Sequence, residues 1–253
     1  MPHHAPQEKT TYFGDREVAW DEKQDKVNAV FDSVAKHYDR MNDLMSFGLH
    51  RLWKRFTVEL SALRQGQKVL DLAGGSGDLT RLLAQKVGHE GLVVLSDINR
   101  NMLEVGRNRL LNEGILSPVL YTQTNAEALS FKDNSFDVIT LAFGLRNVRD
   151  QNEALRSMYR ILRPGGKLVI LEFSKPTWPA FAPLYHAYLF SVVPFLGKIV
   201  AKDKTSYQYL AESIERHPAQ DVLKSMIQDA GFEDCRYHNL SGGIVALHIA
   251  FKY

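Results

Sequence analysis

Short apolar segments alternate with longer amphipathic segments through the middle of the chain. The apolar segments have the length of strands that are buried on both faces, and the segments between them show helical spacing. The predicted strands are Lys68 to Leu72, Leu92 to Ser96, Val119 to Gln123, Ser135 to Ala142 and Lys167 to Phe173. The clearest predicted helices are Asn101 to Asn112 and Ala154 to Leu162. This alternation predicts an α/β fold with a mostly parallel sheet.

The last part of the chain departs from that alternation. A predicted helix over Asp221 to Asp229 precedes two strand-like runs, Cys235 to Leu240 and Ile244 to Phe251, with Gly242 and Gly243 between them. So short a connection joins antiparallel neighbours, because parallel strands need a crossover. The sequence therefore predicts a sheet that ends in an antiparallel hairpin.

The segment before the sheet predicts a helical cap, and the polar chain ahead of it predicts a flexible tail. Apolar residues recur at helical spacing at Val27, Val30, Phe31, Val34 and Tyr38. The predicted divisions are a tail over 1–24, a cap over 25–64 and a main domain over 65–253 that contains a helical insert at 176–218. Residues 38–54 mix polar and aromatic side chains, which fits either a packed cap or a lid whose polar groups reach a substrate.

A glycine-rich turn follows the first predicted strand. Asp71, Gly75 and Gly77 form the pattern D-x-x-x-G-x-G, and Asp97 ends the next strand about 20 residues later, where a carboxylate meets ribose hydroxyls in Rossmann-like units. The dinucleotide-binding fingerprint G-x-G-x-x-G would need a third glycine where this chain has Thr80, so a dinucleotide cofactor is disfavoured. The pattern instead resembles the first motif of class I S-adenosylmethionine-dependent methyltransferases, whose sulfonium cofactor has no pyrophosphate for carboxylates to repel. A turn that only connects strand to helix remains the alternative.

Composition narrows the remaining classes. The formal net charge of +2 does not indicate nucleic acid as a partner. Cys235 is the single cysteine, which excludes an internal disulfide and favours a reducing, cytoplasmic setting. We predict that it packs in a strand. The sequence shows no metal-ligand spacing, so we expect no metal.

Three longer motifs resemble the ubiquinone/menaquinone biosynthesis C-methyltransferases, the UbiE family. They are Y-D-x-M-N-D-x-x-S-x-G-x-H-R-x-W-K at 38–54, R-P-G-G-x-L-x-x-L-E-F-S-x-P at 163–176 and Y-L-x-E-S-I at 209–214. The resemblance implies a Rossmann-like class I methyltransferase with a seven-stranded sheet. It also implies that S-adenosylmethionine methylates a carbon of a prenylated benzoquinol or naphthoquinol and leaves S-adenosylhomocysteine.

The same resemblance implies two sets of site residues. The expected cofactor-binding residues are Ser76, Asp97, Asn125, Ala126 and Ala142, with Asp71, Gly75 and Gly77 of the glycine turn. The expected catalytic residues, which hold and deprotonate the ring hydroxyl, are Arg146, Asn147, His50, Tyr38 and Asp39. Arginine stays protonated, so we expect electrostatic help from it, whereas histidine has the more suitable pKa for a base. An ordinary turn at 124–126 and a surface ion pair at Arg146 are the alternatives.

The aromatic-rich insert over 176–218 indicates what kind of substrate or surface the protein contacts. Its most apolar stretch, 181–200, is interrupted by Pro183, His186, Pro194, Gly197 and Lys198, so we do not predict a membrane span. It is either a packed helical cover or an apolar groove with a face that touches the membrane. We expect a lipophilic prenyl-quinol substrate, peripheral contact with the cytoplasmic membrane, and a homodimer or a quinone-biosynthesis complex. A non-catalytic scaffold and a methyltransferase for another small phenol remain alternatives.

Overall fold

The computed structural model describes residues 9–35 and 38–253, with the side chain of Tyr38 excepted. The described strands are β1 Thr10–Phe13, β2 Arg16–Ala19, β3 Lys68–Leu72, β4 Leu92–Asp97, β5 Val119–Gln123, β6 Phe136–Ala142, β7 Leu162–Phe173, β8 Glu233–Leu240 and β9 Val245–Phe251. Seven of them form one sheet in the order β5-β4-β3-β6-β7-β9-β8, and β1 pairs with β2 in a separate hairpin.

The sheet has the predicted form. Strands β3 to β7 pair in parallel, and β9 pairs antiparallel with both β7 and β8. A mostly parallel seven-stranded sheet that ends in an antiparallel hairpin is therefore confirmed. Most strand boundaries agree within two residues, but β7 begins at Leu162 and takes in the turn that the sequence predicts over 163–166. There the amide of Gly165 donates to the carbonyl of Lys252 at 2.6 Å, so the turn pairs with the chain after β9.

The strand order reverses between β3 and β6. Strands β4 and β5 extend the sheet on one side of this point, and β7, β9 and β8 extend it on the other. In open parallel sheets, ligands bind beyond the carboxyl ends of the strands at such a reversal. The turns after the two strands also approach closely there, because a Cβ atom on Gly144 would lie 2.6 Å from Cβ of Ala73.

Helices cover both faces of the sheet and its carboxyl end. They are α1 Glu22–Val34, α2 Tyr38–Ser46, α3 Leu49–Ser61, α4 Asp78–Val87, α5 Arg100–Asn112, α6 Gln151–Ile161, α7 Ala182–Ala201, α8 Lys204–Arg216 and α9 Gln220–Asp229. The helix predicted over 25–38 thus begins earlier and ends at Val34, and a second helix begins at Tyr38.

The cap and the insert share one apolar core. Val34 and Met41 from the cap are buried against Leu189 of α7 and Tyr207 of α8. Phe173, the last residue of β7, packs against this cluster. The cap and insert therefore form a helical layer above the carboxyl ends of the strands.

The structure corrects the predicted tail over 1–24. Residues 10–19 form the β1–β2 hairpin, α1 begins at Glu22, and residues 1–8 lie outside the description. The ring of Phe13 stacks on Tyr209 with centroids 4.2 Å apart, and the guanidinium of Arg216 lies 3.7 Å from the ring centre of Tyr12. Contacts with α8, far along the sequence, thus order a segment whose own composition is polar.

Helix α7 is long and apolar enough to cross a membrane by length and composition alone. It has 20 residues and a mean hydropathy of 1.4, and 22% of its most apolar window is buried. The proline and glycine interruptions, from which the sequence predicts no span, therefore do not break the helix. Tyr185, Leu189 and Val193 on one side of it lie in the core shared with the cap. Leu184, Phe195 and Ile199 are exposed. One side of α7 is therefore packed in the core, and its other side, the bare side of α7, is apolar and exposed.

Candidate active site

A small cavity of about 70 Å³ lies at the carboxyl ends of β3, β4 and β5. Asp97, Asn125 and Ala126 line it, as the sequence predicts, together with Ala73, Ile98, Thr124 and Gly144. Gln24, Val27 and Phe31 of α1 cover it. These α1 side chains would therefore contact a nucleotide cofactor bound at the strand ends.

Asp97 is the buried acceptor of this cavity. Its carboxylate accepts hydrogen bonds from the backbone amides of Gly75 at 3.0 Å and Asn99 at 2.8 Å. Burial raises the pKa of Asp97 to about 6, against the opposing effect of these amides. The described residues that line the cavity include no lysine or arginine. A buried carboxylate without a cationic partner suits ribose hydroxyls and a cationic cofactor, and it does not suit a pyrophosphate.

Asn125 and Ala126 line the neighbouring wall. The side-chain oxygen of Asn125 accepts from the amide of Glu127 at 2.9 Å and so begins a short helical turn at Ala126. Arg149 holds Glu127 in turn, with Nη2 and Oε2 2.9 Å apart. The small side chain of Ala126 and the capped turn leave room on this side of the cavity.

Five of the residues predicted to bind the cofactor do not line the small cavity in the structure, and Asp71 is one of them. Both of its carboxylate oxygens are occupied, by the hydroxyl of Thr80 at 2.5 Å and that of Thr140 at 2.8 Å. Asp71 therefore joins β3 to the first turn of α4 and to β6.

Ser76, Gly77 and Ala142 are three of the other four. The hydroxyl of Ser76 donates to Asp39 at 2.9 Å, which turns it towards the cap. Gly77, at φ +76°, starts α4. Ala142 packs against the apolar core on one side of the sheet. Gly75 meets the site through its amide, which donates to Asp97.

A second cavity, of about 440 Å³, lies under the cap and the insert. Its lining is largely apolar and includes Met41, Met45, Trp53, Phe173, Tyr185, Tyr188 and Leu189. Phe31, Phe143 and Asn147 line both cavities, so the two meet at these side chains. A cofactor in one cavity would therefore face a substrate in the other across this junction.

Arg146 lines the large cavity next to the junction residue Asn147, and it is buried in an ion pair. Its Nη1 donates to Oε1 of Glu172 at 2.9 Å and also to the carbonyl of Phe143. The Nε atom is buried and has no hydrogen-bond partner in the described structure. The surface ion pair that was the alternative for Arg146 is therefore excluded. Glu172 escaped the sequence prediction, although it stands in the 163–176 motif as the only acidic residue of β7.

Asn147 carries a second unpartnered donor. Its side-chain oxygen accepts from the hydroxyl of Tyr209 at 2.9 Å, and its amide nitrogen Nδ2 is buried without a partner in the described structure. Tyr209 also escaped the sequence prediction, because only its place in the Y-L-x-E-S-I motif marked it.

His50 reaches the large cavity from α3. Its Nε2 lies 2.8 Å from Oδ1 of Asp43, and its Nδ1 has no hydrogen-bond partner, with Oδ2 of Asp78 at 3.9 Å. Burial lowers the pKa of His50, against the opposing hydrogen bond to Asp43. The ring is therefore neutral near pH 7, with Nδ1 as a free acceptor.

Asp39 and Tyr38 are the two remaining predicted catalytic residues. Asp39 does not line the large cavity, since its carboxylate binds Ser76 at 2.9 Å and Nη1 of Arg109 at 2.9 Å. Both oxygens thus join the cap to the glycine turn and to α5, and its predicted catalytic role stays a prediction. The side chain of Tyr38 lies outside the described residues.

In the described parts of the chain, no group of three or more histidine, cysteine, aspartate or glutamate side chains could hold a metal ion. Cys235 is buried in β8, and burial raises the pKa of its thiol to about 11. It is a packing residue, as predicted.

Comparison with solved structures agrees with the fold. A SAM-dependent methyltransferase from Aquifex aeolicus has a TM-score of 0.62 at 18% identity, with 85% of this chain and 98% of that chain covered. The [4+2]-cyclase SpnF has a TM-score of 0.66 at 15% identity, with 91% and 96% covered. Identities this low show the shared fold alone, and one fold serves different reactions.

Sequence relatives are much closer. The ubiquinone/menaquinone biosynthesis C-methyltransferase UbiE of Legionella pneumophila (strain Corby) is 64% identical over 249 residues, which cover 98% of this chain and all of the relative. The protein of the same name from Erwinia tasmaniensis is 60% identical, with 96% of this chain and 97% of the relative covered. The profile of the ubiE/COQ5 methyltransferase family matches residues 19–252. With its fold, its two joined cavities and these matches, the chain belongs to the ubiE/COQ5 methyltransferase family.

Proposed function

We propose that this chain is an S-adenosylmethionine-dependent methyltransferase that methylates a ring carbon of a prenylated quinol in ubiquinone or menaquinone biosynthesis, or in both. The single observation that carries the proposal is the junction at Phe31, Phe143 and Asn147, where a nucleotide-type cavity meets an apolar one. Relatives with 60–64% identity that carry the name of this reaction support the substrate class.

The reduced ring is the form that can react. A quinone ring is electron-poor, whereas a ring carbon of a quinol becomes nucleophilic when the neighbouring hydroxyl loses its proton. S-adenosylmethionine supplies a methyl group that its sulfonium has already activated. The protein therefore has to align the ring carbon with that methyl group, and alignment of this kind contributes up to about 7–11 kcal/mol. The apolar lining keeps water away while the opposite charges of phenolate and sulfonium cancel.

Arg146 would stabilise the phenolate. Its guanidinium stays protonated, so it serves as a hydrogen-bond donor and a positive charge. Glu172 and the carbonyl of Phe143 fix its Nη1 atom, and the unpartnered Nε remains a buried donor. Donors fixed before the reaction stabilise developing charge without a cost of reorganisation.

His50 is the side chain best suited to accept the ring proton. Its hydrogen bond to Asp43 holds the proton on Nε2, which leaves Nδ1 as the acceptor. Lys54 binds the neighbouring Asp78 at 2.8 Å and so neutralises the carboxylate that faces Nδ1. In this proposal His50 takes the hydroxyl proton while Arg146 and Asn147 hold the oxygen. After the methyl group has transferred, the methylated ring carbon loses its own hydrogen as a proton and the ring oxygen regains a proton from His50. The aromatic quinol is thereby restored, and one proton is released in each turnover.

The bare side of α7 supports peripheral contact with a membrane. Phe47 and Leu184 both line the large cavity, yet they are 80% and 67% exposed. The cavity therefore opens between two exposed apolar side chains beside the exposed Phe195 and Ile199. Lys198 lies among them and suits anionic headgroups. A prenyl tail could thus enter the cavity directly from a bilayer.

Methyl transfer from labelled S-adenosylmethionine tests the proposal. The acceptors are demethylmenaquinol and a prenyl-methoxy-benzoquinol, each with and without chemical reduction. Product on a reduced ring supports the proposal, and the ring that reacts assigns the pathway. If the protein binds the cofactor but methylates neither ring, the proposal is wrong and the scaffold alternative replaces it. If the tail is dispensable and other phenols react equally well, the alternative of a general phenol methyltransferase holds.

A further inference from the structure

The orientation of the Asn147 amide is fixed by a neighbour outside the reacting groups. Tyr209 donates its hydroxyl to the amide oxygen of Asn147 at 2.9 Å. Both side chains are buried, and burial raises the pKa of Tyr209, so the hydroxyl keeps its proton. Because the oxygen is engaged, the NH2 group is the half of the amide that stays free, and Nδ2 is buried without a partner.

The ring of Tyr209 is itself held by the N-terminal hairpin. Phe13 stacks on it with centroids 4.2 Å apart and planes 13° apart. The next two hairpin residues bind the same helix, α8. A Cβ atom on Gly14 would lie 2.0 Å from Oε2 of Glu212, and the amide of Asp15 donates to that oxygen at 3.2 Å. The hairpin therefore fits closely against α8 where Tyr209 faces the cavity.

We infer that Tyr209, held by Phe13, is a positioning residue that makes Asn147 present a hydrogen-bond donor to the ring oxygen of the substrate. This inference rests on the proposed function and deepens it. A buried donor without a partner is unfavourable, so an acceptor in the cavity gains affinity there. The arrangement favours a ring oxygen that accepts a hydrogen bond from the Asn147 amide, as the oxygen of a deprotonated quinol does. Without the tyrosine hydroxyl, the amide could rotate and present its oxygen, which would repel the same phenolate.

Steady-state kinetics of Tyr209→Phe test the inference. The substitution removes the hydroxyl and leaves the ring to stack on Phe13. We expect kcat/KM for the reduced quinol to fall about tenfold, with affinity for S-adenosylhomocysteine unchanged within about twofold. Phe13→Ala should lower kcat/KM in the same direction by a smaller factor. Tyr237→Phe is the matched control, because it removes an exposed hydroxyl that binds Asp221 and should leave the rates unchanged.

A double-mutant cycle separates positioning from a general structural role. If Tyr209 acts through Asn147, the variant Tyr209→Phe/Asn147→Ala has the rate of Asn147→Ala alone. If the two losses multiply, or if Tyr209→Phe equals the wild type, the inference is wrong. Weaker binding of S-adenosylhomocysteine to Tyr209→Phe would also overturn it, because the amide would then serve the cofactor. Thermal melting of each variant sets an assay temperature at which all are folded. A wild-type protein that methylates no quinol would instead refute the proposed function.

Discussion

The Nη1 atom of Arg146 lies 2.9 Å from Oε1 of Glu172, and both side chains are buried. Glu172 also accepts from the backbone amides of Arg146 at 3.2 Å and Phe173 at 2.9 Å. The carboxylate thus joins the end of β7 to the turn after β6. Glu172 therefore fixes the position of the Arg146 guanidinium. It also determines how much of the positive charge of Arg146 is left to attract a substrate oxygen.

Variants of the ion pair can separate the structural role of Arg146 from its role in catalysis. Arg146→Met leaves Glu172 buried and unpaired, so it should lower the free energy of unfolding by about 3–5 kcal/mol and turnover by about a hundredfold or more. Arg146→Met/Glu172→Leu removes both charges and should recover most of the stability, because apolar replacements of a buried pair are often neutral. Its turnover should stay low. Denaturant unfolding and initial rates measure the two effects, and recovered turnover in the double variant would give Arg146 a structural role only.

Cofactor affinity should depend on the ionisation of Asp97. Burial raises its pKa to about 6, and ribose hydroxyls bind the carboxylate better than the acid. Affinity for S-adenosylhomocysteine should therefore be constant above about pH 7 and fall as the pH drops through about 6. Titration calorimetry across this range measures it. Asp97→Asn should bind weakly with little pH dependence, whereas a flat profile for the wild type would remove Asp97 from the site.

Asp71 provides the matched control for that titration. Burial also raises its pKa to about 6, but it contacts Thr80 and Thr140 and does not line the cavity. Asp71→Asn should keep the pH dependence of binding. Both folded-state pKa values lie above the value of about 3.9 for an unfolded aspartate. The ligand-free protein should therefore gain stability from these groups as the pH falls from about 6 towards 4, and lose it as the pH rises again.

Asp39 should affect cofactor binding and not the methyl transfer itself. It joins Ser76 of the glycine turn to Arg109 of α5. Asp39→Ala should weaken binding of S-adenosylmethionine several-fold and leave kcat at saturating cofactor within about twofold. Rate measurements over a range of cofactor concentrations distinguish the two effects. A large loss of kcat at saturation would restore the catalytic role predicted from the sequence.

The exposed apolar side chains at the opening of the large cavity should hold the protein on a bilayer. Phe47→Ser and Phe195→Ser should reduce cosedimentation with vesicles of phosphatidylglycerol and phosphatidylethanolamine and raise KM for a quinol in those vesicles. Their rates with a short-tailed quinol in solution should not change. Val222→Ser on α9, also an exposed apolar residue, is the control. Equal vesicle binding by Phe195→Ser and Val222→Ser would contradict the membrane proposal.

The sheet could be predicted because its signals are local. Each parallel strand is a short apolar run that ends at a turn, and glycines such as Gly75 mark the turn where positive φ is needed. Asp97 was predicted from its spacing to the glycine turn, and it ends β4. Asn125 and Arg146 follow β5 and β6 in the chain, and the family resemblance was needed to single them out.

The missed features depend on contacts between distant segments. The hairpin over 10–19 is ordered by α8, and nothing in its own polar sequence predicts that contact. Glu172 and Tyr209 act through their contacts with Arg146 and Asn147. A sequence motif can single out such a residue, but it does not show which side chain the residue contacts. Asp39 is a further case, because its contact with Ser76, which belongs to the other predicted set of site residues, comes from the fold and not from the sequence.

The most direct test of the central claim is a single-turnover reaction with S-adenosylmethionine that carries a trideuterated methyl group. The same demethylated ring is offered in its reduced and its oxidised form, and the product is located by NMR and mass spectrometry. Our account predicts label on a ring carbon with the reduced form and none with the oxidised form. Label on a ring oxygen, or equal methylation of the oxidised ring, would contradict it.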